Sequence, residues 1–475
     1  MPQPPVFDVL GVGFGPSNLA LAIAVAEYNA TARAEDVVTA HFLERQPEFG
    51  WHRGMLIEDA TMQVSFLKDL VTLRNPHSTF TFLSYLHSRG RLVDFINHKN
   101  LFPLRVEFHD YFAWAAARVD DLVSYDHDVV DVRAVTEDGV VTHFDVTSRT
   151  SAGEVEVRRA RNLVLATGLR AKLPDGVRPS ERVWHNRDFL HRVESLTDPR
   201  RVVVVGAGQS GAEVAAFLHE RFPSAEVCAV FARYGYSPAD DSPFANRIFD
   251  PAAVDDFYAA PEPVKSKLMD YHGNTNYAVV DNDLIAELYR RVYREKVLGT
   301  PRLRLLNLSR VAELDDRPDG LTVTVESLNT GEREVLDADV IVYATGYREA
   351  DPTALLGDLA DRCARDARGR LSVGRDYRLD TDDDLVAGLY LQGGTEHTHG
   401  ISSSLLSNTS VRVGEILQSV LGRREATTSA GPAAPAVPAA STVRPASTGS
   451  AATAAPVASD VPAQPEYAIS VSRVG

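Results

Sequence analysis

Only two cysteines, Cys228 and Cys363, occur in the 475 residues of the chain. Two thiols give no disulfide framework and too few thiolate ligands for a structural zinc site, so each reads as an isolated thiol. No continuous apolar run has the length of a membrane span. The amino terminus enters a strand almost at once, with no basic region followed by a cleavable apolar segment. A soluble cytoplasmic protein is therefore expected. Positive charge is also scarce: 49 Lys and Arg stand against 65 Asp and Glu, a formal charge of -16. That balance argues against nucleic-acid and anionic-membrane partners, while a local basic pocket stays compatible with it. Gly393-Gly394-Thr395-Glu396-His397-Thr398-His399-Gly400 superficially suggests a metal site. It lacks a third imidazole or other coherent ligand set, so no metal is assigned.

What the chain does have is one glycine device, used twice. The apolar run Phe7-Asp8-Val9-Leu10-Gly11-Val12 leads into Gly13-Phe14-Gly15-Pro16-Ser17-Asn18, and Leu19 to Val25 continue with helical apolar spacing. Glycines at such a strand-to-helix turn let the backbone approach a pyrophosphate, whose charge then sits at the helix amino end. Asn18 stands where a third glycine is commoner. The strand-like His41-Phe42-Leu43 ends at Glu44, placed to accept ribose hydroxyls. The second copy is the cleaner fingerprint: Val202 to Val205, then Gly206-Ala207-Gly208-Gln209-Ser210-Gly211, then Ala212 to Leu218. Its ribose-side strand, Glu226 to Phe231, ends without a carboxylate and is followed by Arg233. That exchange favours a ribose 2′-phosphate and hence NADPH over NADH; an ordinary surface cation is the alternative reading of Arg233.

Around these two units the chain reads as α/β, with two Rossmann-like dinucleotide-binding domains. Arg161 to Gly168 and Asp339 to Tyr347 are strands that both end in Ala-Thr-Gly, each downstream of its own fingerprint. This echo predicts that one nucleotide domain is inserted into the other. The expected boundaries are 1–198 and 337–424 for the first domain and 199–336 for the second, with a small, mostly helical substrate-contacting insertion at about 237–301. Helical spacing is read at Thr79–Arg89, Phe108–Arg118 and Leu284–Leu288–Val292. Val129–Val135, Val140–Val146 and Val155–Ala160 read as short antiparallel strands. Beyond about Arg424, Ala, Thr, Ser and Pro dominate without apolar periodicity, which predicts a disordered tail over 425–475.

Several polar residues lie among apolar ones. Trp51 and His52 occupy an aromatic loop, where an indole either stacks on a flat ring or simply packs. Gln63 and Lys68 fall in Met62-Gln63-Val64-Ser65-Phe66-Leu67-Lys68-Asp69. Lys68 can meet a substrate carboxylate, and pairing with Asp69 would make it structurally ordinary. Asn246 and Asn274-Thr275-Asn276-Tyr277 carry amides and hydroxyls able to orient a polar ligand, although loop asparagines are commonly turn formers.

These motifs, in this order and across about residues 7 to 420, resemble the flavin-dependent N-hydroxylating monooxygenases, closest to the L-ornithine N5-monooxygenases of siderophore biosynthesis. The resemblance implies FAD on Gly13, Gly15, Asn18 and Glu44, and NADPH on Gly206, Gly208, Gln209, Ser210, Gly211 and Arg233. It makes Trp51, His52, Gln63, Ser404, Leu405 and Leu406 flavin-side residues. It assigns Lys68 and Asn246 to the amino-acid carboxylate, Asn276 to the nicotinamide ribose and the substrate amine, and Ser407 to that amine. It further implies dioxygen as co-substrate, a C4a-hydroperoxyflavin attacked by the neutral amine, and assembly as homotetramers or homodimers. A disulfide reductase would need a redox cysteine pair, which is missing. An NAD(P)H oxidase would release peroxide without hydroxylated amine, and a nucleotide-binding redox sensor would show no amine-dependent oxygen incorporation.

Overall fold

The computed structural model describes residues 5–275 and 277–429. The first sheet grows from β1 (Val6–Val12), which pairs in parallel with β2 (Ala40–Leu43) on one side and with β6 (Val155–Leu165) on the other. A two-residue β3 (Val123–Ser124) extends the β2 edge. The hairpin β4 (Asp128–Glu137) and β5 (Val140–Arg149) pairs antiparallel with the first half of β6. The stretches 155–160 and 161–165, expected as separate strands, are thus one continuous 11-residue strand with two kinds of partner. Its second half pairs in parallel with β17 (Gly388–Leu391), far along the chain.

After β6 the chain passes through β7 (Leu169–Ala171) and enters a second, wholly parallel sheet. Its strands are β8 (Val183–His185), β9 (Arg201–Val205), β10 (Glu226–Val230), β11 (Leu303–Leu306) and β15 (Val340–Tyr343), in the order β11-β10-β9-β15-β8. A separate antiparallel meander, β12 (Ser309–Arg317), β13 (Gly320–Ser327) and β14 (Arg333–Ala338), precedes β15. The return crossing is β16 (Tyr347–Glu349), which pairs antiparallel with β7, so the outgoing and incoming connections form one two-stranded ribbon. The expected boundaries at 198 and 337 lie inside the stretch of chain that forms the second sheet. Val183–His185 and Val340–Tyr343 hydrogen-bond within the second sheet, and the crossing falls at the ribbon. Three-residue β8 has no glycine turn or long apolar run to mark it in the sequence.

Among the helices, α1 (Pro16–Asn29) starts with Pro at a position where the missing N–H costs no hydrogen bond. Leu19 through Val25 are all buried, because the helix is covered by the sheet on one side and by aromatic residues on the other. Those aromatics come mainly from α2 (Phe82–Ser88), α3 (Leu92–His98) and α4 (Arg105–Ala116). In the second domain, short α5 (Phe189–Val193) and α6 (Gln209–Arg221) share an apolar core with the sheet.

The insertion divides between two neighbours. Helix α9 (Asn282–Leu298) lies on α6, where Glu295 meets His219 at 2.5 Å and Arg291 donates to the Ala216 carbonyl. By contrast, α7 (Pro251–Ala259) packs on α10 (Glu396–His399), with the Phe257 ring against Gly400. Helix α8 (Glu262–His272) sends Glu262 to Arg370. The last described element, α11 (Thr409–Ser429), runs past the expected tail boundary at 425. The remainder of that expected tail, 430–475, lies outside the described residues. Both cysteines are free and buried.

Candidate active site

Each glycine turn is wedged against the end of a neighbouring strand. Gly13 has φ of 85°, and a Cβ there would lie 2.5 Å from the Ala166 carbonyl oxygen. Gly206 repeats this with φ of 138° and a Cβ position 2.3 Å from the Ala344 oxygen. The two Ala-Thr-Gly turns are therefore the floors beneath the two glycine loops, which explains their echo in the sequence. Among the described residues Gly15 has nothing within 4 Å of its Cβ position, so the mouth of the first loop is open. In the second loop, a Cβ on Gly211 would come within 2.5 Å of the Gly206 oxygen and one on Gly208 within 3.2 Å of the Ala278 Cα. The helix amino end, the open loop and the absence of side-chain bulk suit an anionic diphosphate.

Some of the expected ligand residues also brace these loops. Buried Glu44 accepts the Phe14 amide at 2.6 Å and the Gln46 amide at 2.9 Å, fixing the first turn; a carboxylate retains further lone pairs for ribose hydroxyls. Asn18 is turned fully inward. Its amide donates to the Gly13 carbonyl at 2.7 Å, and its oxygen accepts from Gln392 at 2.8 Å, so it ties α1 to the end of β17. Gln209 is likewise engaged, donating to Glu213 at 2.9 Å and accepting the Asp281 amide at 2.8 Å. Asn18 and Gln209 were expected at the cofactor; their side-chain amides are engaged by groups of the protein itself. Ser210 stands in the first turn of α6. Arg233 leaves β10 as expected, and its guanidinium donates to the Ala278 carbonyl at 2.7 Å, beside the second loop.

Between the cradles lies a contact with no signature in the sequence. Arg105, at the start of α4, makes two hydrogen bonds to Glu213 of α6, at 2.9 and 2.7 Å. It also donates to the Met55 and Thr61 carbonyls. The loop reached in this way carries the flavin-side candidates. Trp51 packs edge-on against Phe112 at 5.3 Å and His52 at 4.8 Å. His52 adopts a left-handed backbone, φ 51°, and its ring stands 6.1 Å from Tyr347 on the return crossing. Gln63 is exposed.

Lys68 is half-buried and has no ion-pair partner among the described residues. Asp69 is not its partner: that carboxylate accepts the amides of Val71, Thr72 and Phe82 and the Thr72 hydroxyl. The Lys68 ammonium lies 5.7 Å from the Phe249 ring centroid, and burial pulls its pKa down while the Asp250 charge opposes this. Phe249 ends the single-turn helix Ala245–Phe249, which also carries Asn246. Asn246 donates to the Asp241 carbonyl at 2.7 Å. That turn packs on the turn Ile401–Ser404, so Lys68 and Asn246 are brought toward Leu405, Leu406 and buried Ser407. Asn276 lies outside the described residues. His397 and His399, from the rejected metal motif, donate to the carbonyls of Leu371 and Arg375.

Two glycine cradles on separate sheets, joined by a paired crossing, define the two-dinucleotide-binding-domain flavoprotein fold. Residues 5–349 match the family model described as L-lysine 6-monooxygenase/L-ornithine 5-monooxygenase, and the chain belongs to this family. It is 42% identical to an L-ornithine N(5)-monooxygenase of Burkholderia cepacia, over 91% of this chain and 98% of that one. Among solved structures, it is similar to an ornithine N-hydroxylase of Kutzneria sp. 744 with reduced FAD, NADP+ and L-ornithine. The identity there is 48% and the TM-score 0.85, covering 88% of this chain and all of the other. The ornithine hydroxylase of Pseudomonas aeruginosa follows at 36% identity and TM-score 0.83, with 88% and 100% covered.

Proposed function

We propose that this protein hydroxylates the δ-nitrogen of L-ornithine, consuming NADPH and dioxygen and yielding N5-hydroxy-L-ornithine, NADP+ and water. FAD belongs in the first cradle, on Gly13, Gly15 and Glu44. NADPH belongs in the second, on Gly206, Gly208, Ser210 and Gly211, with Arg233 toward the 2′-phosphate. When bound, FAD receives the hydride and supplies the activated oxygen. The product is a hydroxamate precursor, consistent with siderophore biosynthesis in the cytoplasm, and assembly as a homotetramer or homodimer is part of the same reading.

The observation that carries the proposal is the half-buried ammonium of Lys68, unpaired among the described residues, beside the Asn246 turn. A cation in a partly apolar setting, with an amide donor nearby, matches an α-carboxylate. Anchoring that end of ornithine directs its other end toward Ser407, with Asn276 proposed to hold the amine and the nicotinamide ribose. Trp51, His52, Gln63 and the main chain of Ser404, Leu405 and Leu406 are proposed to border the flavin ring and exclude water. The reacting amine must be neutral, since an ammonium has no lone pair to offer oxygen. Lysine keeps the carboxylate but carries its amine one methylene further, and a displacement of about 1 Å costs roughly 100-fold in rate. Putrescine and cadaverine have no carboxylate to anchor.

Competition among ornithine, lysine, putrescine and cadaverine, read by mass analysis of hydroxylated product, tests this reading. Ornithine should dominate. Preferential product from lysine or a diamine would sink the substrate assignment. Lys68→Ala should raise the ornithine KM sharply with FAD retained; an unchanged KM would remove the carboxylate anchor.

A further inference from the structure

Arg412, on α11, is 2% exposed, and its guanidinium meets only neutral acceptors among the described residues. These are the Ser17 hydroxyl at 3.1 Å, Gln392 Oε1 at 3.3 Å, the Thr409 hydroxyl at 3.2 Å and the Ser403 carbonyl. Glu415, on the same helix, is already held by two bonds from Arg375, at 2.8 and 2.9 Å. A buried guanidinium cannot shed its proton to escape the cost of desolvation, so a cation in this position calls for an anion.

The surroundings point to where that anion goes. Ser17 belongs to the first turn of α1, directly after the open glycine loop. Gln392 binds both Arg412 and the inward amide of Asn18. Ser17, Gln392 and Ser403 line one cleft together with Thr167, Gly168 and Gly393. The Ser403 hydroxyl in that cleft is buried and has no hydrogen-bond partner among the described residues, and the same holds for both amide atoms of Asn408. A positive helix end, a buried cation one hydroxyl behind it and the orphaned Ser403 hydroxyl in the cleft all ask for the same kind of ligand.

We infer that Arg412 is the buried counter-charge of the FAD diphosphate, acting through Ser17, and that it is a positioning residue holding segment 403–408 against the cofactor. The inference rests on the assignment of FAD to the first cradle. It adds that loading of the cofactor and ordering of the wall carrying Ser407 are one event. Without FAD, the charge is uncompensated, so Arg412 weakens the apoprotein and strengthens the holoprotein. A merely structural arginine would strengthen both.

Full-length wild type, Arg412→Met and Arg412→Lys, stripped of FAD in high salt, are titrated with FAD by quenching of flavin fluorescence. Thermal unfolding is followed with and without saturating FAD. Loss of one charge-assisted interaction predicts about 10- to 100-fold weaker FAD binding for Arg412→Met, with most of the affinity regained in Arg412→Lys. Apo Arg412→Met should melt no lower than apo wild type, and should gain less on adding FAD. Unchanged FAD affinity in Arg412→Met overturns the inference. So does an apoprotein that is destabilised or unable to fold in Arg412→Met, or an affinity loss that lysine does not repair. If wild type itself binds no FAD, the assignment of the first cradle is what fails.

Discussion

Breaking the Arg105–Glu213 pair should loosen the second nucleotide domain, and the size of the effect can be worked from the contacts. The two side chains are 11% and 5% exposed, which removes most of the solvent screening that makes surface pairs weak. Glu213→Ala leaves the guanidinium with the Met55 and Thr61 carbonyls alone and releases Gln209, which otherwise donates to Glu213. Removing one partner of such a buried pair costs about 3–5 kcal/mol, because the other charge stays desolvated. At about 2–4 °C per kcal/mol for a domain of 150–250 residues, the unfolding midpoint should fall by roughly 6–20 °C. Calorimetry on the FAD-loaded enzyme measures this directly. The Arg105→Met, Glu213→Met double variant should recover most of the loss, since an apolar pair of similar volume avoids the desolvation cost. NADPH affinity should fall in Glu213→Ala and in Arg105→Ala, because Gln209 stands at the first turn of the cofactor helix. Single variants shifted by less than about 2 °C, or a double variant whose losses simply add to within about 0.5 kcal/mol, would refute a coupled buried pair.

Three further outcomes are expected. Burial takes the pKa of His399 down to about 4 from 6.5, so the unfolded chain binds its proton first as pH falls. This site's stability is therefore complete above pH 6.5 and is lost between 6.5 and 4, by roughly 3 kcal/mol. Denaturation midpoints of His399→Gln should show a shallower acid limb, and an identical slope would contradict the assignment. Gly13→Ala places a Cβ 2.5 Å from the Ala166 oxygen at a positive φ, so FAD should be lost while the second domain keeps its unfolding transition; a fully flavinated Gly13→Ala enzyme would refute the cradle geometry. Arg233→Ala should impair NADPH oxidation more than NADH oxidation in stopped-flow reduction. Equal losses would leave Arg233 as a brace for the Ala278 carbonyl alone.

The strand, glycine turn and buried helix at 6–29 and at 201–221 were legible in the sequence, because each is encoded within a short window by apolar spacing and by backbone freedom at the turn. So was the insertion of one nucleotide domain into the other, signalled by the repeated Ala-Thr-Gly. Tertiary structure decided what those windows cannot contain. It joined 155–160 and 161–165 into one strand by giving them different neighbours, and it moved β8 and β15 into the second sheet by pairing them with each other. It gave Asn18 and Gln209 one local partner each and one distant partner, Gln392 and the Asp281 amide, 374 and 72 positions away. Arg105 finds Glu213 across 108 positions and Arg412 finds Ser17 across 395. Local periodicity carries no trace of such pairs: the chain fixes what each residue can bond, and packing of the two domains decides which partner comes within reach.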